Sequence, residues 1–557
     1  MKMPNKGFLA IVAKARLSQN PDVSHKMKIK PHTTPYFAVL AVTMAARLSM
    51  AATLYVATNG AHVSPFSSWP NAATSINAAV STAQSNDTVI VSNGTYKLNA
   101  TVQIYKLLKL ISANGPSNTI IDGQNQRGCL DVGVYPSTIS GFTIRRGNSY
   151  VGGGIEIERG TITNCVVTGN TATYLGGGIS MLGDRVTIRN CVVNSNNANG
   201  GGGISIEDAG TVLDCDLTGN TAMNGGGIFV SNRFSELIGT IANCNICSNN
   251  SSSKGGGVFA VNCRINIQDC VVISNRTSGK GGGVCIQDGG TILNCIVMGN
   301  TADNGAGIYL YDLNSGLIRN CLMAENQATN SPGSYQVGGG ASVIGIVGVE
   351  NCTIYNNSSK WAAGGLYFET LAGIDYSPTT RYTVVNTICY SNYAPSEWST
   401  NCEIDRTDTT FAYCDISPAP AGIGNFDADP LLANVPVGDY SLGGCSPCVD
   451  AGPPYANYPW LYSGHDLSGT TRASGDSVDI GAYETSIAAR DICNTGTIGT
   501  LWGVPVGAIV KLSSSTNLIN PTWLDVGIFT SATHTISIPD ANTEAIHKFY
   551  KLHWLRE

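Results

Sequence analysis

A repeat in the middle of the chain constrains the fold more than any other feature of the sequence. In each copy, an Asn-Cys or Asp-Cys pair is followed, five residues after the cysteine, by an asparagine. A glycine run that ends before an apolar residue separates one copy from the next. The cysteines recur every 24 to 31 residues, at Cys165, Cys191, Cys215, Cys244, Cys270, Cys295, Cys321 and Cys352. The paired asparagines are Asn170, Asn196, Asn220, Asn249, Asn275, Asn300, Asn326 and Asn357, and a ninth copy has Asn386, Thr387 and Asn392.

The length and composition of the repeat favour strands over helices. A period this short does not accommodate a pair of helices, and the segments between the glycine runs are β-branched and alternate, as in Ile155-Glu156-Ile157-Glu158. Short strands that stack in parallel, at about 4.8 Å from one copy to the next, satisfy this pattern. We therefore predict an all-β parallel β-helix in which each copy forms one coil.

Each repeated residue type has a predicted role in such a coil. Glycine permits the positive φ of tight corners, and cysteine is small and apolar enough to fill a narrow interior as a stacked column. Asparagines at equivalent turns can hydrogen-bond from coil to coil. Because stacked parallel neighbours rarely offer disulfide torsions, we expect the cysteine column to be reduced.

Composition and charge exclude some classes of function. Of the 557 residues, 13% are charged, the formal net charge is -6, and no basic stripe is present, so we expect no nucleic-acid partner. Histidine is absent between His62 and His465. A histidine base or a histidine-bound zinc is therefore excluded from the repeats.

The first 52 residues are predicted to be a targeting segment. Three lysines between 26 and 30 precede an apolar run at 36–46, and small residues follow before Thr53. The run is too short to cross a bilayer, which needs about 20 apolar residues. We expect translation to start at Met27, bacterial-type export to the medium or the outer cell surface, and no transmembrane span in the mature chain.

The remaining chain divides into an opening, a repetitive body and a terminal region. Residues 53–125 are predicted to form a cap and the first coils, with a short helix that places Ile76, Val80 and Ala83 on one face as a lid. Residues 126–425 contain the repeats. Short alternating apolar runs predict a small β domain at 491–557, with a role in sorting, surface attachment or carbohydrate binding.

Two groups of motifs carry a family resemblance. The opening has Leu54-Tyr55-Val56 and NDTVIVSNGTY at 86–96, and the end of the body has DADPLL at 427–432, GDYSL at 438–442, SPCVDAG at 446–452 and SVDIGAYE at 477–484. The chain resembles secreted right-handed parallel β-helix proteins of the pectin lyase-like superfamily, and 426–490 resembles their choice-of-anchor Q module. The glycine and asparagine repeats are also similar to those of chlamydial polymorphic outer membrane proteins.

The resemblance implies a right-handed coil, closed by residues 426–490, and leaves the activity open. The superfamily contains polysaccharide lyases, glycoside hydrolases, tailspikes and adhesins, so its fold does not determine function. The Asn-Thr-Asp, Asp-Asp and Arg-Ile-Lys motifs of polygalacturonases are not present as a group, and Asn386-Thr387 is followed by Ile388. If the protein is an enzyme, we expect a lyase rather than a hydrolase.

One column of residues is a candidate ligand-binding surface. Because strand side chains alternate, the second residue after each glycine run should point away from the interior. In this column, four aromatic residues could stack on sugar rings, or could stabilise the sheet by stacking on each other. The column is Glu156, Ser180, Ser205, Phe229, Phe259, Cys285, Tyr309, Ser342 and Tyr367.

Carboxylates nearby are weaker candidates for a calcium site. Glu158, Glu207 and Asp208 lie further along the same strands, with Asp184 nearby and Arg159 on the first of these coils. A carboxylate-bound Ca²⁺ with a nearby arginine is the arrangement by which the family resemblance implies lyase chemistry. Calcium needs 6 to 8 converging oxygens, which the spacing does not require, so solvated surface carboxylates are the alternative.

The C-terminal module contains its own motifs. Cys445-Ser446-Pro447-Cys448 has redox-motif spacing without a βαβ setting, which predicts a local disulfide. The module's charged residues are predicted to be structural, as a buried ion-pair network. These residues are Asp450, Asp466, Arg472, Asp479 and Glu484.

Three functional hypotheses follow from the sequence. The first is an exported β-helix protein that binds a polysaccharide or a cell-surface glycan on one strand face, through Phe229, Phe259, Tyr309 and Tyr367 with Glu207 and Asp208. The second is a Ca²⁺-dependent lyase that cleaves acidic glycans by β-elimination. The third is a structural or adhesin-like spacer. No catalytic set is identified.

Overall fold

The computed structural model describes most of the chain beyond the targeting segment. The described residues are 51–232, 238–329, 336–368, 382–395, 401–403, 409–472 and 477–485. At 238 and 313–315, and in six strands between 492 and 556, only the backbone is described. The predicted targeting segment therefore lies outside the described residues, except for its last two.

The coil formed by residues 201–224 shows how one repeat folds. Each strand pairs in parallel and in register with the equivalent strand of the next coil, so Ile204 lies between Ile179 and Ile228. This stacking confirms the parallel β-helix, which makes about 11 turns. The strands of this coil are Ile204–Glu207, Gly210–Leu213, Asp216–Thr218 and Thr221–Asn224.

Three parallel sheets run along the coil in the described part of the chain. Sheet 1 contains Thr53–Val56, Thr88–Val91, Val102–Ile104, Lys109–Ser112, Leu130–Val132, Ser137–Ser140, Ile155–Thr163, Ile179–Arg189, Ile204–Glu207, Gly210–Leu213, Ile228–Ser231, Ile238–Ala242, Val258–Val261, Arg264–Gln268, Val284–Gln287, Gly290–Leu293, Ile308–Arg319, Ala341–Glu350, Leu366–Phe368, Tyr382–Val385 and Thr409–Ala412. Sheet 2 contains Gly94–Lys97, Thr119–Asp122, Thr143–Arg145, Val166–Thr168, Val192–Asn194, Asp216–Thr218, Asn245–Cys247, Val271–Ile273, Ile296–Met298, Leu322–Ala324, Thr353–Tyr355, Ile388–Tyr390 and Asp415–Ile416. Sheet 3 contains Asn148–Val151, Thr171–Leu175, Asn197–Gly200, Thr221–Asn224, Asn250–Lys254, Arg276–Thr277, Thr301–Ala302, Gln327–Ala328 and Ser358–Ser359.

The interior is filled by the residues that the repeat predicts. Ile204, Ile206, Cys215 and Leu217 of the example coil are all buried in one continuous core. The eight cysteines of the repeat are free and buried, which confirms a reduced packing column. Their thiols donate to backbone carbonyls, as from Cys215 to the Leu213 oxygen at 3.0 Å.

The corners of the example coil need a positive φ at four places. Gly201, Asp208, Asp214 and Gly219 have φ of 65°, 127°, 51° and 63°. Asn and Asp tolerate this conformation better than other residues with a Cβ. This explains the Asn-Cys and Asp-Cys pairs: the residue before the cysteine turns the chain from sheet 1 to sheet 2.

The N-terminal end is covered twice. Helix α1, Ile76–Thr82, begins at Ser75, whose Oγ accepts a hydrogen bond from the Ala78 amide, and its Ile76 and Val80 are buried in the coil core. The predicted lid is therefore present. In addition, Ala73 pairs with the first strand at Val56, so the exposed edge of sheet 1 is hydrogen-bonded.

The C-terminal module lies along the side of the coil, whereas the family resemblance implies that it closes the end. Amide groups at coil corners hold it: Asn320 Nδ2 donates to the His465 oxygen at 2.9 Å, and, two coils further on, Asn386 Nδ2 donates to the Asp479 oxygen at 2.7 Å. Tyr440 packs against Leu322 on the outer side of sheet 2. The module has strands Leu432–Asn434 and Asp439–Leu442, and 3₁₀ turns Val435–Val437 and Pro459–Tyr462.

The predicted charged network is present inside the module. Arg472 is 1% exposed and donates from Nη1 to the Gly481 oxygen at 2.9 Å and to Glu484 Oε1 at 3.5 Å. It also hydrogen-bonds to Oδ1 of Asn320 on the coil. The network therefore orders the module and joins it to the coil.

The terminal region forms the expected β structure. Its strands form two three-stranded antiparallel sheets. They are Ile492–Asn494, Ile498–Trp502, Ile509–Ser515, Leu524–Thr530, Thr535–Pro539 and Phe549–Arg556. Across the described residues, no helix has the length and apolar character needed to span a membrane.

Candidate functional site

The predicted outward column runs along sheet 1 in register. Pairing joins Asp131 and Gln103 to Glu156, the first residue of the predicted column, so two further coils extend it. Its members Phe259, Cys285 and Tyr309 form a cluster separate from the coil core. The column therefore points away from the interior, as strand alternation predicts.

The aromatic part of this column is covered. Phe259 is 5% exposed and Tyr309 is 2% exposed, while Phe229 and Tyr367 are half-buried. The expectation of an exposed aromatic face is therefore wrong for Phe259 and Tyr309. Their side chains pack with Ile344 outside the coil.

The side chains that cover these rings come from the corner between sheets 3 and 1. Lys254 Nζ lies 5.5 Å from the ring centre of Phe259, and Lys280 Nζ lies 4.3 Å from that of Tyr309. Lys280 Nζ also donates to the Tyr309 hydroxyl at 2.6 Å. Lys254 ends a strand of sheet 3, and Lys280 pairs with it in an isolated bridge after the next strand. Both lysines therefore reach across the corner, and their side chains cover the two rings.

An exposed tyrosine and two carboxyl groups mark the first coils of the same column. Tyr105 is 52% exposed, and its hydroxyl donates to Oδ2 of Asp131. This hydrogen bond, followed by burial and by the charge of Asp131, raises the pKa of Tyr105 to about 12. Burial, followed by the charges of Asp131, Glu158 and Glu207, raises the pKa of Glu156. This surface is therefore rich in carboxyl groups and carries a solvent-exposed aromatic ring.

A second open aromatic feature lies on the adjacent sheet 3. Tyr150 and Tyr174 are exposed and come from neighbouring strands. Their rings are stacked, with centroids 5.4 Å apart and planes 14° apart. The following glycine corner leads from Tyr150 to Glu156 within six residues. Exposed tyrosines thus occur on both sheets at the same end of the coil.

The four carboxylates proposed for calcium do not form one site. Glu158 and Glu207 both lie near Glu156, and Glu207 is buried. Asp184 is exposed and lies 3.9 Å from the Arg185 guanidinium, and Asp208 lies at the corner between two strands of sheet 1. No group of three or more metal-ligating side chains converges in the described ranges. These residues therefore do not fit a calcium ion.

The predicted disulfide between Cys445 and Cys448 is wrong. Cys445 is disulfide-bonded, but Cys448 is a free, buried thiol. Its Sγ donates to Oδ2 of Asp415 at 3.2 Å. Burial raises the pKa of Asp415 to about 6, and burial followed by Asp415 raises that of Cys448. This pair anchors the module to the last coil.

Tyr105, Tyr150 and Tyr174 were not among the residues predicted from the repeat. Tyr105 precedes the first glycine triplet, and the other two lie in strands of sheet 3, outside the column that the glycine runs define. A signal was available for Tyr105: alternation from the buried Val102 and Ile104 places it on the outer face. To predict that Tyr150 and Tyr174 stack in sheet 3, the register between neighbouring coils would have been needed.

No protein-family model and no curated protein matches the sequence. Among solved structures, the chain is similar to pectate lyase Pel9A, at 16% identity and a TM-score of 0.38, over 78% of this chain and 97% of that one. It is similar to XylC in complex with xylose, at 9% identity and a TM-score of 0.31, over 90% of this chain and 100% of that one. It is also similar to ORF18 of Geobacillus virus E2, at 16% identity and a TM-score of 0.27, over 54% and 52% of the two chains. The fold assignment itself rests on the strand pairing described above.

Proposed function

We propose that the protein is an exported β-helix that binds polysaccharide on the outer surface of its first coils. The observation that carries the proposal is the exposed Tyr105 ring, hydrogen-bonded to Asp131 in register with Glu156. Aromatic rings offer an apolar face to a sugar, and carboxylates accept hydrogen bonds from its hydroxyls. The disulfide at Cys445 supports an oxidising compartment.

The charge of the surface favours neutral polysaccharides over polyuronates. Besides burial, the charges of Asp131 and Glu158 raise the pKa of Glu156, so the three carboxyl groups lie close together. A polyuronate bound there would add like charges to this cluster. Neutral sugars avoid that repulsion and use the carboxylates as acceptors.

A binding assay with substituted tyrosines tests the proposal. We expect a chain with Tyr105→Ala, Tyr150→Ala and Tyr174→Ala to bind a neutral polysaccharide at least tenfold more weakly, which corresponds to about 1.4 kcal/mol. Retention in affinity electrophoresis with xylan, glucan and mannan measures the effect. Tyr393→Ala is the matched control, since this exposed tyrosine lies beside the last strand of sheet 3.

Unchanged retention of the triple variant would rule out this surface as the binding site. A second variant, Phe229→Ala with Tyr367→Ala, tests the predicted column. It leaves the buried rings of Phe259 and Tyr309 intact. If only that pair lost retention, the ligand would lie on the predicted column instead. Incubation with polygalacturonate and Ca²⁺ tests the lyase hypothesis, because β-elimination generates an unsaturated, ultraviolet-absorbing product.

A further inference from the structure

An uncharged loop of the C-terminal module concentrates aromatic side chains on the surface. Residues 453–464 read PPYANYPWLYSG and contain three prolines, three tyrosines and one tryptophan, with no charged side chain. Tyr455 is 64% exposed and Trp460 is 44% exposed. Exposed rings of this size leave much apolar surface in water, which is unfavourable without a ligand.

The loop is held in place at its middle and at its ends. Leu461 is buried with Val385 and Ala412 of the coil, and its carbonyl accepts a hydrogen bond from Asn351 Nδ2 at 3.2 Å. The Tyr462 hydroxyl donates to the Pro453 oxygen at 2.6 Å, which joins the two ends. Proline at three positions fixes φ as well. The exposed rings are therefore preorganised.

The last coil contributes a ring to the same surface from a strained position. Tyr413 has φ of 53° at the corner where the equivalent residues of other coils are Asn or Asp. A left-handed backbone is unusual for a bulky residue, and such strain is concentrated at functional sites. The Tyr413 ring lies against Gly424, where an added Cβ would be 2.5 Å from its Cδ1. It also meets Tyr458 edge-on, at 6.0 Å between centroids.

The ring geometry distinguishes between two classes of uncharged ligand, a proline-rich peptide and a saccharide. Tyr458 and Trp460 are 5.5 Å apart at 61°, and Tyr455 and Tyr462 are 5.3 Å apart at 80°. Proline-rich peptides dock in grooves lined by aromatic rings. Rings set edge to face do not form the parallel walls of such a groove, but present separate faces. Separate faces suit the individual rings of a saccharide chain, with the tyrosine and indole edges as polar partners.

We propose that Tyr413, Tyr455, Tyr458 and Trp460 form a second binding surface, for a neutral saccharide. The surface lies on the module and its last coil, apart from the tyrosines of the first coils. The loop carries no charged side chain and so offers no ion pair to a ligand. The polysaccharide-binding proposal for the first coils is independent of this one, because the two use different residues.

Calorimetry on the full chain tests this proposal. The chain carries Tyr105→Ala, Tyr150→Ala and Tyr174→Ala, so that binding at the first coils does not contribute. We expect cellohexaose, xylohexaose or mannohexaose to bind, and Tyr455→Ala with Trp460→Ala to weaken binding at least tenfold. Trp361→Ala, at an exposed tryptophan elsewhere on the coil, is the matched control.

Three results would overturn the proposal. They are no binding of any of the three oligosaccharides, equal binding by the double variant, and loss of binding in Trp361→Ala alone. A proline-rich peptide is titrated in parallel, and binding of that peptide without the sugars would also contradict a saccharide site. The double variant keeps the buried Leu461 and the Tyr462 bond, and circular dichroism confirms that it is folded.

Discussion

At the scale of residues, the three glycines of a corner are required for different reasons. Gly201 has a left-handed φ of 65°. Gly202 and Gly203 do not, but a Cβ on either would lie 2.4 to 2.6 Å from a backbone oxygen of the same or the next coil. The sequence predicts glycine for positive φ alone. Close backbone approach between coils is a second cause, and it depends on the stacking distance.

The asparagine ladder allows a quantitative test at the same scale. Asn220 Nδ2 donates to the Val193 oxygen at 2.8 Å and to Asn249 Oδ1 at 3.0 Å, and its Oδ1 accepts from the amide and side chain of Asn196. Asn220→Ala leaves the Val193 carbonyl and the Asn196 amide without this partner. We expect the free energy of unfolding to fall by about 3 kcal/mol, because each buried polar group left without a hydrogen-bond partner costs about 1–3 kcal/mol.

Urea denaturation compares this variant with Asn197→Ala. Asn197 is exposed on sheet 3, so its replacement should change stability by less than about 0.5 kcal/mol. Equal stability of the two variants would show that the ladder does not stabilise the coil.

At the scale of elements, the sequence predicts the direction of side chains better than their exposure. The glycine runs correctly predict that Phe259 and Tyr309 point away from the interior. They do not reveal that Lys254 and Lys280 cover them, because the lysines reach these rings from the other side of the glycine corner, Lys254 from five residues before Phe259 and Lys280 from one coil before Tyr309. The repeating residues and the strands were therefore predictable, whereas the open surface was not.

The C-terminal module is expected to be more stable in mild acid. Burial, followed by nearby acids, raises the pKa of Glu484 to about 10, and burial raises that of Asp479 to about 6. A group with a raised pKa in the folded state stabilises it fully below the unfolded pKa, and this stabilisation is lost as the pH rises through the folded pKa. For Asp479 that window runs from 3.8 to about 6, with an effect on the order of 3 kcal/mol. For Glu484 it extends from 4.5 to about 10.

Hydrogen exchange measures this effect in the module. After correction for intrinsic rates, amides of residues 440–485 should exchange more slowly at pH 5 than at pH 8. Glu484→Gln keeps an acceptor for the Asp479 amide and should reduce the difference, whereas Asp439→Asn, at an exposed carboxylate, should not. Faster exchange at pH 5 would contradict the assignment of raised pKa values.

At the scale of the whole molecule, the repeat supplies a uniform scaffold and the irregular residues differ from one end to the other. The middle coils have a sealed outer column, and the first coils have open tyrosines beside carboxyl groups. The last coil and its module carry an uncharged aromatic loop. The candidate sites thus lie where the repeat is least regular, which is why periodicity alone did not identify them.

Hydroxyl-radical footprinting tests most directly whether polysaccharide binds the first coils. The oxidation rates of individual tyrosines are compared with and without a saturating neutral polysaccharide that the protein retains. The account predicts that Tyr105, Tyr150 and Tyr174 become protected while Tyr393 keeps its rate. Unchanged oxidation of Tyr105, Tyr150 and Tyr174 in the saturated complex would contradict it.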